Sequence, residues 1–252
     1  MKATQPCAWI STFERLFSLS AEELDHLKRL TERAEEIEPR RKLIDQGKPC
    51  EQLFILKTGW LAEFRLLRNG ARQILNFRLP GDILGIECLA YRTALHSMAT
   101  LTRCTVAPLN IEDFEDIHRR FPRLASALFL MTLREGAILH EWEVNLGRRS
   151  ALPRVGHLLL ELDRRLRARG LAHDESVRLP LTQEDIAECT GLTTPYVNRI
   201  LQKMRGLELI RFEQQTLEIL DRAELARTTG FDTEYIEGWR LGRTGLSSEA
   251  LF

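Results

Sequence analysis

The chain has no hydrophobic run near the length that crosses a bilayer. Its longest apolar stretches, such as ALFLM at 127–131, fall far short of the ~20 residues a spanning helix needs. The opening MKATQPCAWISTFERLF lacks the extended apolar core of a secretory signal. A soluble, cytoplasmic protein with no membrane partner is therefore expected. Closely spaced cysteines are missing as well. The five, at positions 7, 50, 88, 104 and 189, form no CxxC pair and are odd in number, which reads as reduced thiols and not as a disulfide framework. Neither charge sign is in excess, since 36 basic residues balance 36 acidic ones, but a local basic face remains open as a nucleic-acid contact. Nucleotide-binding glycine motifs of the GxGxxG or GxxxxGK[ST] kind do not occur. HEWEV at 140–144 misses the zinc motif HExxH because Val144 stands where a second histidine is needed. No motif supplies a nucleophile, base and orienter together, so no catalytic residue, cofactor or metal ligand is assigned, and an enzyme is the disfavoured class.

What is present is an ordinary globular composition, 44% apolar and 29% charged over 252 residues, enough for one large domain or two small ones. Residues 12–35 carry leucines at helical spacing, and Ser20 with Glu23 forms a capping-box pattern. From about 37 to 110 the pattern alternates, with Ala62, Phe64 and Leu66 assigned to one face and Glu63 and Arg65 to the other. Asn69-Gly70 predicts a two-residue hairpin turn with both central residues at positive φ, and Pro80-Gly81-Asp82 a second turn. This segment is read as an antiparallel β-domain, a small barrel or roll.

Residues 122–147 return to helix, with Pro122 in the first turn and an apolar stripe of Leu124, Leu128, Met131, Ile138 and Trp142. Taken alone, the stripe fits core packing, or a seam between two subunits. NLGRRSALPR at 145–154 marks a boundary, and Val155, Leu158, Leu159, Leu162 and Leu166 a further amphipathic helix.

LTQEDIAECTGLTTPYVNRILQKMRGLELIRF, at 181–212, reads as two short helices and a strand. Thr182 and Asp185 form a capping box, Gly191 supplies a sharp turn, and Thr194 is expected to cap a second helix with Pro195 in its first position. That second helix contains Arg199, Lys203 and Arg205 and no acid, a composition suited to a DNA major groove. LELIRFEQQTLEIL predicts two strands around Gln214-Gln215, the wing of a winged helix-turn-helix.

Over about residues 15–228 the chain resembles the Crp/Fnr family of bacterial transcription regulators. LTQEDIAECTGLTTPYVNRILQKM is similar to the family's DNA-binding signature, and FILKTGWLAEFRLLRNGARQILNFRLPGDILG to its cyclic-nucleotide-binding-like β-roll. The resemblance implies an α+β chain in four parts: a β-roll over 1–121, a dimerisation helix and hinge over 122–150, a winged helix-turn-helix over 151–229, and an extension of unknown role over 230–252. In that extension Ile236 and Trp239 suggest an added docking helix. The implied partners are double-stranded DNA, a second copy of the chain and RNA polymerase. The implied DNA contacts are Thr182, Thr193, Thr194, Tyr196, Asn198, Arg199 and Lys203, and the stripe from Leu124 to Trp142 becomes the dimer seam. A module binding a small molecule or cyclic nucleotide and acting through protein contacts alone is the alternative.

The effector pocket implied by the resemblance comprises Gly81, Gly85, Glu87, His96 and Ser97, with two departures. Members that bind cyclic AMP carry Gly-Glu for the ribose and Arg-Ser for the phosphate. Here Glu87 stands one place late and His96-Ser97 replaces Arg-Ser, so cyclic AMP is not expected to bind. Members with an iron–sulfur cluster have several N-terminal cysteines, whereas this chain has Cys7 alone there. Pro195 replaces the recognition-helix Glu of many members. Cys189 reads as a small buried residue or, more sharply, as a thiol switch beside DNA.

Overall fold

The computed structural model describes residues 7–50 and 52–238. Contacts divide the chain into two compact units, one ending at Leu130 and the other beginning at Met131. The division thus falls inside a helix and at neither of its ends.

The first unit opens with α1 (Ala8–Glu14) and α2 (Ala21–Arg29). The expected capping box starts α2: Glu23 N–H donates to Ser20 Oγ at 3.1 Å, and the Ser20 N–H donates to the Glu23 carboxylate at 2.7 Å. Two four-stranded antiparallel sheets follow, in the orders β1-β8-β3-β6 and β2-β7-β4-β5. The strands are β1 (Glu35–Ile37), β2 (Lys42–Ile44), β3 (Leu53–Thr58), β4 (Leu61–Leu66), β5 (Arg72–Arg78), β6 (Ile83–Leu84), β7 (Ser97–Thr100) and β8 (Cys104–Leu109). Between β6 and β7 lies a 3-10 turn, Ile86–Leu89. The roll's interior packs Leu56, Leu61, Leu84, Met98 and Val106 into one apolar cluster. α3 (Ile111–Arg120) leads into α4 (Pro122–Arg148), whose first part belongs to this unit.

Three expectations are corrected here. The hairpin between β4 and β5 closes at Leu67–Ala71, with the Gly70 N–H donating to Leu67 O, and only Gly70 (φ 84°) is left-handed. It is a three-residue turn of the type that ends in a left-handed glycine, not a two-residue turn with Asn69 also at positive φ. The alternation in β4 also fails: Glu63 is buried and Leu66 exposed, because both faces of Leu61–Phe64 are covered. Finally, the cysteines are not all separate thiols. Cys50 and Cys88, 38 residues apart in sequence with Cα atoms 5.3 Å apart, are joined as a disulfide. Sequence distance does not reveal such a pair, because the roll folds the segment before β3 onto the 3-10 turn.

The second unit contains the rest of α4, then α5 (Ala151–Ala168), β9 (Ser176–Arg178), α6 (Gln183–Thr190), α7 (Thr194–Gly206), β10 (Ile210–Glu213), β11 (Thr216–Ile219), α8 (Arg222–Thr229) and α9 (Glu234–Glu237). β10 and β11 pair as the expected hairpin, and β9, which sequence patterning did not mark, adds to β11 as a third strand. In the C-terminal extension Ile236 is buried on α9, while Trp239 lies outside the described residues.

Four of the five residues assigned to a dimer seam are core. Leu124, Leu128, Ile138 and Trp142 are each at most 8% exposed within the single chain, and Met131 is half-buried. Trp142 shows why: its indole N–H donates to Glu161 Oε1 at 3.2 Å inside the second unit. A buried indole usually finds such a partner. The exposed apolar residues of α4 include Phe129 (63%), Leu133 (54%) and Val144 (48%). At 3.6 residues per turn these lie on the side roughly opposite Ile138. Among the described residues no helix is long and apolar enough to cross a membrane.

Candidate functional site

The helix pair is built by local signals. Thr182 caps α6 by accepting from the Asp185 N–H at 3.1 Å, and its hydroxyl donates to the Asp185 carboxylate at 2.7 Å. Gly191 ends the helix at φ 65°, ψ 32°, a left-handed conformation that suits glycine. The cap of α7 is Thr193, one residue before the expected Thr194, so Pro195 falls in the second helical position, where a missing N–H still does no harm. Val197, Ile200, Leu201 and Met204 are buried and fix the helix's rotation. Thr193, Thr194, Tyr196, Arg199 and Lys203 are thereby left exposed. The Arg199 guanidinium lies over the Tyr196 ring, 5.1 Å from its centroid.

Two of the residues assigned to DNA contact have their polar groups engaged by partners in the protein. Asn198 is half-buried and donates to Gln183 Oε1 at 3.1 Å, tying α7 to α6, and the Thr182 hydroxyl is engaged in its cap. Cys189 is buried; burial, then the negative charge of Glu161, pushes its thiol well above the ordinary range. A reactive cysteine requires the thiolate, so the structure favours the packing reading over the switch. The wing turns at Gln214 and Gln215, both at positive φ (48° and 61°).

Arg154 carries no sequence signal, yet its guanidinium donates to Thr190 O at the end of α6 (2.9 Å), to Leu146 O (3.0 Å) and to Arg149 O (2.9 Å). It satisfies carbonyls at two helix ends where no intrahelical donor exists. It is therefore a positioning residue for the helix pair.

In the β-roll the structure brings Glu87 and His96 together and adds Glu63, which patterning placed on the outer face, and Arg78, which patterning did not mark. Glu63 of β4 points inward, paired with Arg78 of β5 at 2.6 Å and with His96 Nδ1 3.4 Å from its other oxygen. Burial alone would raise the Glu63 carboxyl, but Arg78 and His96 outweigh it and bring it down to about 2. Glu87, on the 3-10 turn, has a buried Oε1 with no hydrogen-bond partner. Its turn is set by Gly85 (φ 73°), where a Cβ would stand 2.8 Å from Ile44 Cδ1.

The other two assigned pocket residues serve the frame. Gly81 packs on α1, a Cβ there standing 2.9 Å from Ala8 O. The Ser97 hydroxyl accepts from Gln46 N–H at 3.0 Å and donates to Asp45 at 3.4 Å. The phosphate of a cyclic nucleotide would need a cation here, and Arg78 is already held by Glu63. A four-thiolate cluster is not assembled either: Cys50 and Cys88 are bonded to each other, while Cys104 and Cys189 are buried in β8 and α6.

Comparison with known proteins agrees with this anatomy. The Crp-like helix-turn-helix domain family matches residues 153–228, and the cyclic nucleotide-binding domain family matches residues 34–121. The transcriptional activator protein Anr of Pseudomonas aeruginosa is 27% identical over 217 residues, covering 86% of this chain and 88% of its own. The fumarate and nitrate reduction regulatory protein of Escherichia coli is 25% identical over 216 residues, covering 85% of each chain. The structure of FixK2 from Bradyrhizobium japonicum superposes with a TM-score of 0.71 at 26% identity, covering 79% of this chain and 98% of that one. Two domain matches in the same order, over a fold with an exposed acid-free helix after a tight glycine turn, lead to one assignment: this chain belongs to the Crp/Fnr family of DNA-binding transcription regulators, not to a family of enzymes.

Proposed function

We propose that the chain acts in the cytoplasm as a homodimer on a near-palindromic operator, reading each half-site with α7 and contacting RNA polymerase while bound. The observation that carries this reading is the exposed face of α7, on which Tyr196, Arg199 and Lys203 stand with no acid between residues 194 and 206. Arg199 is the base-edge candidate and Lys203 a phosphate contact, because a guanidinium can fork onto guanine and an ammonium is a point charge. Thr193 and Thr194, at the helix start, are placed for phosphate or base-edge hydrogen bonds.

The dimer seam is reassigned to the exposed stripe of α4. Phe129, Leu133, Gly136, His140 and Val144 follow one another at helical spacing. Nothing lies within 4 Å of the place where a Cβ would stand on Gly136, which lets two helix backbones approach closely. DNA binding independent of cyclic AMP is part of the same proposal, since a phosphate in the β-roll would meet two carboxylates and an arginine already paired.

In vitro selection of DNA sites, with and without cyclic AMP, tests the reading. The expected result is a two-fold symmetric site with half-sites about one helical turn apart, selected equally in both conditions. Failure to enrich any symmetric site, or enrichment only with the nucleotide, would overturn it.

A further inference from the structure

We infer that the β-roll pocket binds a divalent transition-metal ion between Glu63, Glu87 and His96. Three different segments supply these side chains: β4, the 3-10 turn and the lead into β7. Their donor atoms already lie within 4.8 Å of one another.

The cluster is short of positive charge. Glu63 and Glu87 bring two carboxylates, against one guanidinium, Arg78. Arg78 engages Glu63 Oε2, which leaves Oε1 turned towards His96 Nδ1 at 3.4 Å. The Glu87 Oε1 is buried and accepts no hydrogen bond. A buried carboxylate oxygen without a donor is costly, so the native state gains from a group that satisfies it. An anion would add to the repulsion, whereas a cation removes it. A metal ion would sit where His96 Nδ1 and Glu63 Oε1 face each other at 3.4 Å, and it gains Glu87 as a third ligand.

The ligand types narrow the ion. Two carboxylates suit magnesium, calcium or manganese, and an imidazole in the set shifts the preference towards zinc or iron(II). Bonds of about 2.0–2.2 Å place tetrahedral donors roughly 3.4 Å apart; Glu63 Oε1 and His96 Nδ1 already stand at that spacing, and the Glu87 oxygen must draw in by at most about 1.4 Å, from 4.8 to 3.4 Å. The turn that carries Glu87 is set by Gly85, held at φ 73°. His96, with 27% of its side chain exposed, gives the ion a way in from solvent.

This inference rests on the reading of the β-roll as carrying an effector pocket and names that pocket's ligand class. It is tested on the DNA-free protein, so its failure leaves the DNA-binding reading intact. Full-length protein is stripped with a chelator and titrated calorimetrically with zinc chloride and, separately, manganese chloride. One saturable site per chain is expected, weakened at least about 10- to 100-fold in Glu87→Gln and in His96→Gln. Both substitutions preserve much of the side-chain shape at half-buried positions, and circular dichroism checks the fold; if one variant fails to fold, the other decides. A Cys50→Ser/Cys88→Ser double variant is expected to bind as the wild type does. Absence of a saturable site, unchanged affinity in a folded Glu87 or His96 variant, or loss of binding only in the cysteine variant would each overturn the assignment.

Discussion

The Arg199 guanidinium rests 5.1 Å from the centroid of the Tyr196 ring, one turn of α7 apart and on its exposed side. A stacked guanidinium loses less rotamer freedom when it meets a base, so in the proposed complex Tyr196 would pre-orient Arg199 for base contact. Arg199→Ala is expected to weaken specific-site binding by about 1–3 kcal/mol. Tyr196→Leu should produce a smaller loss, about 0.5–1 kcal/mol. Lys203→Ala should weaken all sequences alike and reduce the salt slope by about 1. Mobility shifts on specific and scrambled DNA across a salt series separate the three; equal loss on both DNAs for Arg199→Ala would remove it from base recognition.

The two faces of α4 make opposite predictions. Leu133→Asp places a charge on the exposed stripe and should yield folded monomers. Ile138→Asp buries that charge in the core and should lower stability by several kcal/mol, of the order of ~3–5 for an uncompensated buried charge. Sedimentation together with thermal melting distinguishes them. A folded monomer from Ile138→Asp, with Leu133→Asp still dimeric, would restore the seam on the buried face.

The Glu63–Arg78 pair should govern acid stability in the β-roll. The Glu63 carboxyl is at about 2 in the folded state against 4.5 ordinarily, so the stability it contributes is present above 4.5 and is lost as pH falls from there towards 2. Arg78→Met leaves the buried carboxylate without its guanidinium partner and should cost about 3–5 kcal/mol at neutral pH. Glu63→Gln should flatten the acid limb. Melting curves recorded from neutral pH downward check both; an unchanged acid limb in Glu63→Gln would show that the pair is not its source.

A second acid response belongs to the other unit and to a higher pH window. His157 is buried with Nε2 3.3 Å from Glu141 Oε1 and 3.3 Å from the Tyr235 hydroxyl. Burial, and then the charge of Arg149, hold it down at about 3. The folded state therefore stays neutral while the unfolded chain takes up a proton, and stability falls as pH drops from 6.5 towards 3. Tyr235→Phe removes the hydrogen bond given to buried Glu161 at 3.0 Å and should cost about 1–3 kcal/mol. Hydrogen exchange would then show faster opening of α9 against α5; no change in melting or exchange would mean that α9 contributes little to the second unit.

Much of this anatomy could be read from the sequence, and for a common reason. Capping boxes at Ser20 and Thr182, the left-handed Gly191 and the turn at Gln214-Gln215 all depend on interactions within a few residues, so local spelling is enough to specify them. The acid-free face of α7 was legible because four buried apolar residues at helical spacing leave the other positions no choice of side. The order of β-roll and winged domain was carried by the two quoted motifs.

What only the tertiary structure decided involves partners far apart in the chain. An apolar stripe on α4 does not say which element covers it, so Ile138 and Trp142 read as a seam until the buried Glu161 supplied Trp142 with its partner. A polar residue between apolar ones in β4 reads as solvent-facing, yet Glu63 turns inward because Arg78 of the neighbouring strand pairs with it there. Cys50 meets Cys88, and Glu87 approaches His96, through the closure of the roll. Local propensities set the elements and the exposed face of α7; long-range packing and charge compensation chose which side chains are hidden, and so built the pocket.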